Sequence, residues 1–342
     1  MTTPVTTAAI PEHHQSPPVT PEPIIKLASG FMAAKHLFAA NELGLFEALG
    51  DSPATLEALA ARTGLTPRAT RISADAMVAL NLLERHGDTY CNGPEAAQFL
   101  AGRTPADLRP FLRFWDKISY PTWQSLAEAL SSGPPQEIFE LDDAHQEIAS
   151  AGIEAILAGP AMALPRVYDF AQHKRLLDVG GGTGSWSIAV AQRFPHLTAT
   201  IVDLPVVVGL ARERIATADL DSRVDAVVGD AMKEPLPDGY DVVLVANLIH
   251  YWSPEENQAL LRRIRAAVAG EARLLLADFW TDVSHTQPLH AALMAGEFAV
   301  HLRDGDVYSV EEIRAWLSTT GWRFIEHAPL AGPQSVVVAA AS

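Results

Sequence analysis

Cysteine and basic residues are scarce in this chain of 342 residues. The one cysteine, Cys91, excludes an intrachain disulfide and is typical of proteins in a reducing compartment, so we expect a cytoplasmic protein. The 25 Lys and Arg residues are outnumbered by 41 Asp and Glu residues, which gives a formal net charge of −16. Because affinity for phosphates comes mainly from Lys and Arg, this balance argues against a nucleic-acid partner.

Long hydrophobic runs are also missing. A membrane-spanning helix needs about 18 or more apolar residues in succession, and the chain has no such uninterrupted run, so we expect no membrane span and no membrane partner. Residues 1–23 are rich in proline and lack the charged start and apolar stretch of a signal peptide, which predicts a disordered leader. Apolar residues still make up 48% of the chain, enough for a large core.

Hydrophobic spacing divides the remaining chain into three parts. Residues 24–104 show helical spacing and then a short hairpin around Gly87–Asp88, the pattern of a winged-helix unit. Residues 105–170 are predicted to be a helical linker that contributes to a ligand pocket. Over residues 171–342 strands and helices alternate, which predicts an α/β fold with a mostly parallel sheet covered on both faces.

The alternating region also marks its own element boundaries. Strands are predicted at 175–179, 199–202, 224–228, 240–246, 274–279, 324–326 and 336–339, and helices at about 185–193, 206–217, 254–268 and 310–319. The segments Ser253-Pro-Glu-Glu256 and Ser309-Val-Glu-Glu312 both fit a capping box, in which a serine and a glutamate satisfy the first backbone amides of a helix.

The winged-helix unit has two interpretations. It could bind DNA through Arg68 and Arg71, or it could serve packing and dimerisation. Between residues 54 and 100 it carries four arginines and five acidic residues, a poor electrostatic match for DNA. We therefore favour packing and dimerisation over a regulator that senses a ligand and binds DNA.

The strongest motif is Leu177-Asp-Val-Gly-Gly-Gly-Thr-Gly184, which follows an apolar strand and precedes a helix. Ligands bind at the carboxyl ends of parallel strands in such folds, and glycines let the backbone turn tightly and approach a ligand. A dinucleotide fingerprint would need glycine or alanine where this chain has Ser185, and a P-loop would need Gly-Lys-Ser/Thr. The motif therefore disfavours an NAD-dependent oxidoreductase and a P-loop protein.

Acidic residues follow the next two predicted strands. Asp203 ends the strand after the glycine loop, where a carboxylate can accept hydrogen bonds from both ribose hydroxyls. Asp230 ends the third strand and could bind an adenine amine, with Ala231 and Met232 packed on the ring. A glycine loop with acids after two successive strands predicts a site for an adenosine-containing cofactor.

The chain has four notable segments: Leu177–Gly184, Val202–Pro205, Gly229–Met232 and Asn247–Trp252. Together they resemble the motifs of S-adenosyl-methionine-dependent small-molecule O-methyltransferases, a family that groups plant caffeic-acid-type enzymes with bacterial enzymes of secondary metabolism. The resemblance covers residues 25–340. It implies a Rossmann-like class I methyltransferase domain after a winged-helix dimerisation domain, and a homodimer.

The resemblance also implies site residues. Contacts to S-adenosyl-methionine are expected from Asp178, Gly180, Gly182, Asp203, Leu204, Asp230, Ala231, Met232 and Asn247. His250 lies where the family has its general base, and Asp278 where a glutamate often orients that histidine. Histidine titrates near neutrality, which suits removal of a proton from a phenol or an alcohol.

Three positions depart from the family pattern. Tyr251 stands where aspartate is usual, Asp278 stands where glutamate is usual, and Val307 replaces the second acid of the plant enzymes, beside Asp306. Either Asp278 or Asp306 could orient His250. Weaker candidates for the base are His285, His290 and His301.

The acceptor pocket is expected between the helical segment 105–170 and the strand ends. Its candidate walls are Trp115, Met162, Trp252 and Phe298, whose aromatic and thioether surfaces suit a flat apolar molecule. We therefore expect O-methylation of a hydroxyl on a small aromatic or polyketide-like metabolite, without a metal ion. Methylation of carbon or nitrogen, and use of the cofactor without methyl transfer, are the alternatives.

Overall fold

Helices form most of the N-terminal part. The computed structural model describes residues 19–342, so the predicted leader lies largely outside the described residues. The helices are α1 (Glu22–Ser29), α2 (Phe31–Glu42), α3 (Leu45–Leu49), α4 (Leu56–Thr63), α5 (Pro67–Ala79) and α6 (Pro94–Phe99). The strands β1 (Ala54–Thr55), β2 (Leu83–His86) and β3 (Thr89–Asn92) form an antiparallel sheet in the order β1-β3-β2. The helices and hairpin expected of a winged-helix unit are present.

A run of short helices then leads to one long helix. It comprises α7 (Arg109–Phe114), a π-helical turn (Trp115–Ser119), α8 (Tyr120–Thr122), a 3-10 turn (Trp123–Ser125), α9 (Leu126–Ser132), a second 3-10 turn (Ile138–Glu140) and α10 (Asp143–Val167). Within residues 19–342, α10 alone is long and apolar enough to cross a membrane, by length and composition only. A core helix passes the same test, and α10 packs on α7.

The C-terminal part is a seven-stranded sheet with helices on both faces. Its strands are β4 (Arg175–Val179), β5 (Thr198–Asp203), β6 (Val224–Val228), β7 (Tyr240–Ala246), β8 (Val268–Asp278), β9 (Trp322–Pro329) and β10 (Ser335–Ala341), in the order β6-β5-β4-β7-β8-β10-β9. Strands β4 to β8 are parallel, and β10 runs antiparallel to β8 and β9. The helices are α11 (Ser185–Arg193), α12 (Pro205–Thr217), α13 (Pro254–Ala267), α14 (Leu289–His301) and α15 (Val310–Thr319).

Alternation along the strands produces two apolar layers. Leu176 and Leu244 belong to the buried cluster on one face of the sheet, and their neighbours Leu177 and Val243 belong to the cluster on the other. Side chains of successive strand residues point to opposite faces, so a strand buried on both sides is apolar throughout. The predicted α/β fold with its two covered faces is confirmed.

Helix α14 is the main element that the sequence did not predict. Its thirteen residues are apolar around most of the helix rather than along one stripe, and no side chain caps its start after Pro288. The two predicted capping boxes are confirmed: Ser253 and Ser309 each accept a hydrogen bond from the backbone of the glutamate three residues on, whose side chain bonds back. The capping boxes therefore marked correctly where these two helices begin.

Candidate active site

The glycine loop is tied to the strand beside it. The Gly180 amide donates to the Val202 carbonyl at 2.8 Å, and the Gly182 amide donates to Asp203 Oδ2 at 2.7 Å. Gly180 and Gly182 both have positive φ, 65° and 58°. A Cβ at Gly180 would lie 2.6 Å from the Leu248 side chain, whereas one at Gly182 would meet only open space. The loop thus leaves room for a ligand at Gly182.

Two carboxylates support this loop in different ways. Asp178 is fully buried, and its Oδ2 accepts a hydrogen bond from Ser187 Oγ at 2.6 Å. Burial, with the nearby Asp203 charge adding to it, raises the pKa of Asp178 to about 7. Asp203 also accepts from the Leu204 amide at 2.7 Å, and burial raises the pKa of its carboxyl. Asp178 therefore supports the loop from beneath, while Asp203 lies beside it.

The third strand end adjoins Asp203. The Gly229 amide donates to the Asp203 carbonyl at 3.0 Å, which brings Asp230 to the same edge of the sheet. Asp230 Oδ1 accepts from the Met232 amide at 2.9 Å, and the hydrogen bond from Lys233 lowers the pKa of the Asp230 carboxyl. Ala231 and Met232 pack on the core, and the Leu204 side chain is exposed.

Asn247 ends the fourth strand of this edge in an uncommon backbone conformation, with φ of 52°. Its Oδ1 accepts from Gln334 Nε2 at 2.5 Å, while its Nδ2 is buried without a partner among the described residues. Partly exposed glycine backbone, two carboxylates, an unpaired amide and apolar side chains fit the parts of S-adenosyl-methionine, which has hydroxyls, an amine, an apolar ring and a charged tail.

Sequence reasoning missed a polar network behind the glycine loop. Thr183 and Ser185 both donate hydrogen bonds to Glu154 of α10, and Arg214 of α12 pairs with the same carboxylate at 2.5 Å. Burial alone would raise the pKa of Glu154, but these hydrogen bonds hold it below its ordinary value. Glu154 lies 29 residues before the loop in sequence, so no local motif signals the contact.

His250 lies in a 3-10 turn (Ile249–Tyr251) just after β7, beside the end of β8. Its Nδ1 is 2.7 Å from Asp278 Oδ1, and Asp278 is 1% exposed. A carboxylate at Nδ1 makes that nitrogen the proton donor and leaves the lone pair on Nε2. Asp306 meets His250 only through the backbone, since its amide donates to the His250 carbonyl at 3.1 Å. Of the two candidate acids, the structure therefore brings Asp278 to the ring.

Aromatic rings enclose the imidazole. The Phe298 ring of α14 stacks on His250 with centroids 3.9 Å apart and planes 7° apart, and the Tyr251 ring lies at 4.8 Å and 27°. Burial raises the pKa of Tyr251 to about 12, so its hydroxyl stays neutral at ordinary pH. The Tyr308 hydroxyl donates to the Trp252 carbonyl at 2.5 Å, which fixes the other end of the His250 turn.

The four predicted wall residues do not all meet. Phe298 contacts His250. Trp252 directly follows the turn that carries His250, and its side chain packs on the core. Trp115 packs among Phe111 and Phe114 in the helical segment. Met162 is 58% exposed on α10 and lies outside the apolar cluster of Phe298. Within this chain Met162 is therefore not brought together with the other three, and its role as a wall stays a prediction.

The weaker candidates for the base have other surroundings. His285 is partly exposed and lies 3.1 Å from Glu312, and His290 packs near Phe279. His301 Nε2 is 3.2 Å from Glu297 Oε1 in a buried pair. Of the four candidate histidines, His250 alone combines a buried carboxylate at Nδ1 with a position at the end of a strand of the parallel sheet.

Glu297 is a further buried carboxylate that the sequence did not reveal. It lies on α14, is 4% exposed, and accepts hydrogen bonds from Ser119 Oγ at 2.6 Å and from Trp123 Nε1. These contacts join α14 to the helical segment next to Phe298. Glu297 could not be placed from the sequence because α14 itself was not predicted.

Comparisons with known proteins agree with this arrangement. The sequence model of the O-methyltransferase domain matches residues 142–323, and that of the O-methyltransferase dimerisation domain matches residues 25–102. The chain is 30% identical to the tetracenomycin polyketide synthesis 8-O-methyl transferase TcmO of Streptomyces glaucescens, over 93% of this chain and 96% of that one. It is 31% identical to the 3-hydroxy-5-methyl-1-naphthoate 3-O-methyltransferase of Streptomyces sahachiroi, over 93% and 94%.

Two further similarities bear on chemistry and cofactor. The chain is 31% identical to the N,N-dimethyltransferase OxyT of Streptomyces rimosus, over 88% of this chain and 90% of that one. The solved structure of PigF with S-adenosyl-homocysteine superposes with a TM-score of 0.82 at 26% identity, over 94% of this chain and 100% of that one. The predicted cofactor and enzyme class are confirmed, and the chain belongs to the S-adenosyl-methionine-dependent O-methyltransferase family.

Proposed function

We propose that this enzyme methylates a hydroxyl on a flat, apolar small molecule, an aromatic or polyketide-like metabolite, with His250 as the general base. The observation that carries the proposal is the His250 ring, bonded to Asp278 at 2.7 Å and stacked against Phe298 beside the cofactor strand ends. Relatives named for a naphthoate and for a polyketide support the acceptor class.

The chemistry follows from the tautomer. When bound, S-adenosyl-methionine supplies an electrophilic methyl group on a sulfonium. Nε2 of His250 accepts the proton of the acceptor hydroxyl, which makes the oxygen a better nucleophile. Asp278 holds the ring through Nδ1 and stabilises the imidazolium that forms. A positioned general base contributes a factor of about 10²–10⁴ to the rate.

The cofactor is held, in this proposal, by the strand ends of β4 to β7. Asp203 accepts hydrogen bonds from the ribose hydroxyls, and Asp230 binds the adenine amine. The other residues are assigned to the same site: Asp178, Gly180, Gly182, Leu204, Ala231, Met232 and Asn247. Asp178 acts through the loop above it, since its side chain is fully buried.

We infer that Phe298 and Trp252 form the acceptor wall nearest the base. Trp115 would close the pocket from the side of the helical segment. Ile138 packs both on the apolar cluster of Phe298 and on the cluster that contains Phe114 and Trp115, so the two clusters adjoin. A flat acceptor gains most from stacking against such rings. Met162 would reach an acceptor only if another chain covered its exposed face.

A methylation assay with purified protein tests the proposal. Hydroxylated aromatics of one, two and three fused rings are incubated with S-adenosyl-methionine, and products are read by mass spectrometry. We expect a mass gain of one methyl on a hydroxylated ring, with one S-adenosyl-homocysteine formed for each product. The same rings with the hydroxyl already capped by methyl serve as controls and should stay unchanged.

Nitrogen is the second candidate for the methylated atom, because OxyT is a similar relative with a name that specifies N,N-dimethylation. An amine with a free lone pair needs less help from a base than a hydroxyl does. Matched acceptor pairs, each an aminoarene and the corresponding hydroxyarene, distinguish the two. Turnover of only the amino member would reject O-methylation.

We also propose a homodimer, with residues 24–104 as the dimerisation domain, 105–170 as the linker and pocket segment, and 171–342 as the cofactor domain. The dimerisation-domain match over residues 25–102 supports it. So do apolar side chains on α1, where Leu27 is 82% exposed and Ile24 is 72% exposed. Sedimentation should give twice the chain mass for the parent and a smaller mass for Leu27→Asp.

A cytoplasmic location is the last part of the proposal. One cysteine among 342 residues is in keeping with a reducing compartment. Cell fractionation followed by immunoblotting should find the protein in the soluble cytoplasmic fraction, and recovery with the membrane pellet would contradict this.

A further inference from the structure

The hairpin of β2 and β3 carries three metal-ligand side chains on one face. Antiparallel pairing sets Glu84 opposite Cys91 and His86 opposite Thr89. Side chains alternate between the two faces of a strand, so Glu84, His86 and Cys91 share the face opposite to buried Leu83 and Tyr90. Two residues spaced i, i+2 on one strand and a third across from them form a compact donor set.

The donor atoms are close together. Glu84 Oε2 and His86 Nε2 are 3.0 Å apart, and one ligand atom from each of Glu84, His86 and Cys91 lies within 4.8 Å of the other two. Zinc bonds of about 2.0–2.3 Å in tetrahedral geometry separate ligand atoms by roughly 3–4 Å. Small side-chain rotations therefore suffice to bring all three donors onto one ion.

We propose that Glu84, His86 and Cys91, the hairpin triad, bind one divalent cation of the zinc class, with water as the fourth ligand. Thiolate, imidazole and carboxylate are the ligand types of zinc, and the sulfur selects against magnesium and calcium. The Cys91 thiol releases its proton to solvent as the sulfur–metal bond forms, His86 binds as neutral imidazole, and the metal keeps its oxidation state.

Local charge favours a cation at this place. The Glu84 carboxylate lies beside Cys91, and a thiolate on Cys91 would add a second negative charge there. A divalent ion bound between the two side chains offsets both charges. The arginine of the hairpin, Arg85, lies on the other face, where its guanidinium is 3.4 Å from Asp75.

The site would link β2 to β3 and so stabilise the N-terminal part, separately from methyl transfer. All three ligands are at the surface or partly exposed, with His86 69% exposed and Glu84 50% exposed in their side chains. An ion from solution can therefore reach them, and the affinity is set by the triad rather than by a closed cavity.

Cobalt titration of the full-length protein tests the triad, because Cys91 is the one cysteine of the chain. Any thiolate-to-cobalt charge-transfer band must come from that residue. We expect a band that saturates at one Co²⁺ per chain and is displaced by Zn²⁺. It should vanish in Cys91→Ser and require at least about tenfold more Co²⁺ in Glu84→Gln and in His86→Gln.

The matched control is His145→Gln, which removes an exposed histidine that lies 2.7 Å from Asp142 without a nearby thiol. This variant should titrate like the parent. The proposal is overturned if no band forms at millimolar Co²⁺, or if the band has the same midpoint in Glu84→Gln and His86→Gln, which would indicate binding by the thiol alone.

A second measurement does not depend on cobalt. Zn²⁺ should slow alkylation of Cys91 by iodoacetamide and raise the unfolding midpoint of the parent but not that of Cys91→Ser. An alkylation rate unaffected by Zn²⁺ would also overturn the proposal. Methyl transfer by all these variants should equal that of the parent, so failure of the metal site leaves the proposed function untouched.

Discussion

The carboxyl ends of β4, β5 and β6 present backbone amides and carboxylates, whereas the ends of β7 and β8 present an imidazole enclosed by aromatic rings. The first set, the cofactor half, comes from three consecutive strand–loop units. The second set, the base half, also needs α14 and the helical segment, which lie far apart in sequence. The ligand-facing groups of the first half thus come from the strand ends and their loops, whereas the second half depends on helices far away in sequence.

This difference has an energetic counterpart. In the cofactor half, Asp203 is held by the amides of Gly182 and Leu204, and Asp230 by the amide of Met232. In the base half, the ring stacked on His250 is placed by α14, which is joined to the helical segment through Glu297. Substitutions should therefore separate turnover from cofactor affinity.

The largest expected effect lies in the base half. His250→Ala removes the proton acceptor, so kcat should fall by about 10²–10⁴-fold while the Kd for S-adenosyl-methionine changes little. Steady-state turnover and calorimetry measure the two quantities. His285→Gln, which changes a partly exposed histidine, is the control. Full turnover by His250→Ala would remove the base assignment.

Glu297→Leu should have the next largest effect, on stability and acceptor binding. It leaves Ser119 and Trp123 without their buried acceptor and removes the carboxylate that lies 3.2 Å from His301, at a cost of about 3 kcal/mol in the free energy of unfolding. We expect a raised KM for the acceptor and an unchanged Kd for the cofactor. Glu297→Gln keeps an acceptor oxygen and should lose less. If Glu297→Leu weakened cofactor binding as much as acceptor binding, the two halves would not be separate.

In the cofactor half, Asp203→Asn should weaken the binding of S-adenosyl-methionine by about 10–100-fold, since a hydrogen bond to a charged group contributes about 1.5–3 kcal/mol. At saturating cofactor, kcat should stay within a few-fold of the parent. Calorimetry and turnover at several cofactor concentrations give both values. Asp221→Asn changes an exposed carboxylate of the same domain and serves as the control. A fall in kcat with unchanged affinity would contradict the assignment.

The smallest expected effect concerns pH and Asp178. Because its pKa is raised to about 7, the folded protein keeps a proton that the unfolded chain has already released above about pH 4. The free energy of unfolding of the parent should therefore fall as the pH rises from about 4 to about 7, and then level off. Asp178→Asn cannot ionise, so its stability relative to the parent should improve by up to about 2 kcal/mol between pH 5 and pH 8.

Denaturant unfolding of both proteins at the two pH values measures this difference. Asp221→Asn should show no such shift. An identical gap between Asp178→Asn and the parent at pH 5 and pH 8 would mean that Asp178 titrates in the folded state as it does in the unfolded chain.

The sequence predicted the features that depend on neighbours in the chain. All seven strands of the main sheet, the two capping boxes and the meeting of the glycine loop with Asp203 follow from local patterns. The contact of Asp278 with His250 came from the family resemblance, which left Asp306 as an alternative, because the contact depends on the register of β7 against β8.

The missing parts share a cause. Helix α14 lacks both an apolar stripe and a cap, so neither signal of a helix was present, and the stacking of Phe298 on His250 could not be placed. The Glu154 and Glu297 networks join segments far apart in sequence. Met162 stays a predicted wall residue, because its residue type does not specify which face of α10 meets the acceptor.

The turn that carries His250 is held by hydrogen bonds with Asp306, Tyr308 and Asp278, none of which belongs to α14. Substitutions along α14 at positions other than Glu297 should therefore change the acceptor wall while His250 keeps its place. Engineering of the acceptor range should therefore vary residues of α14 and keep the turn Ile249–Tyr251 unchanged.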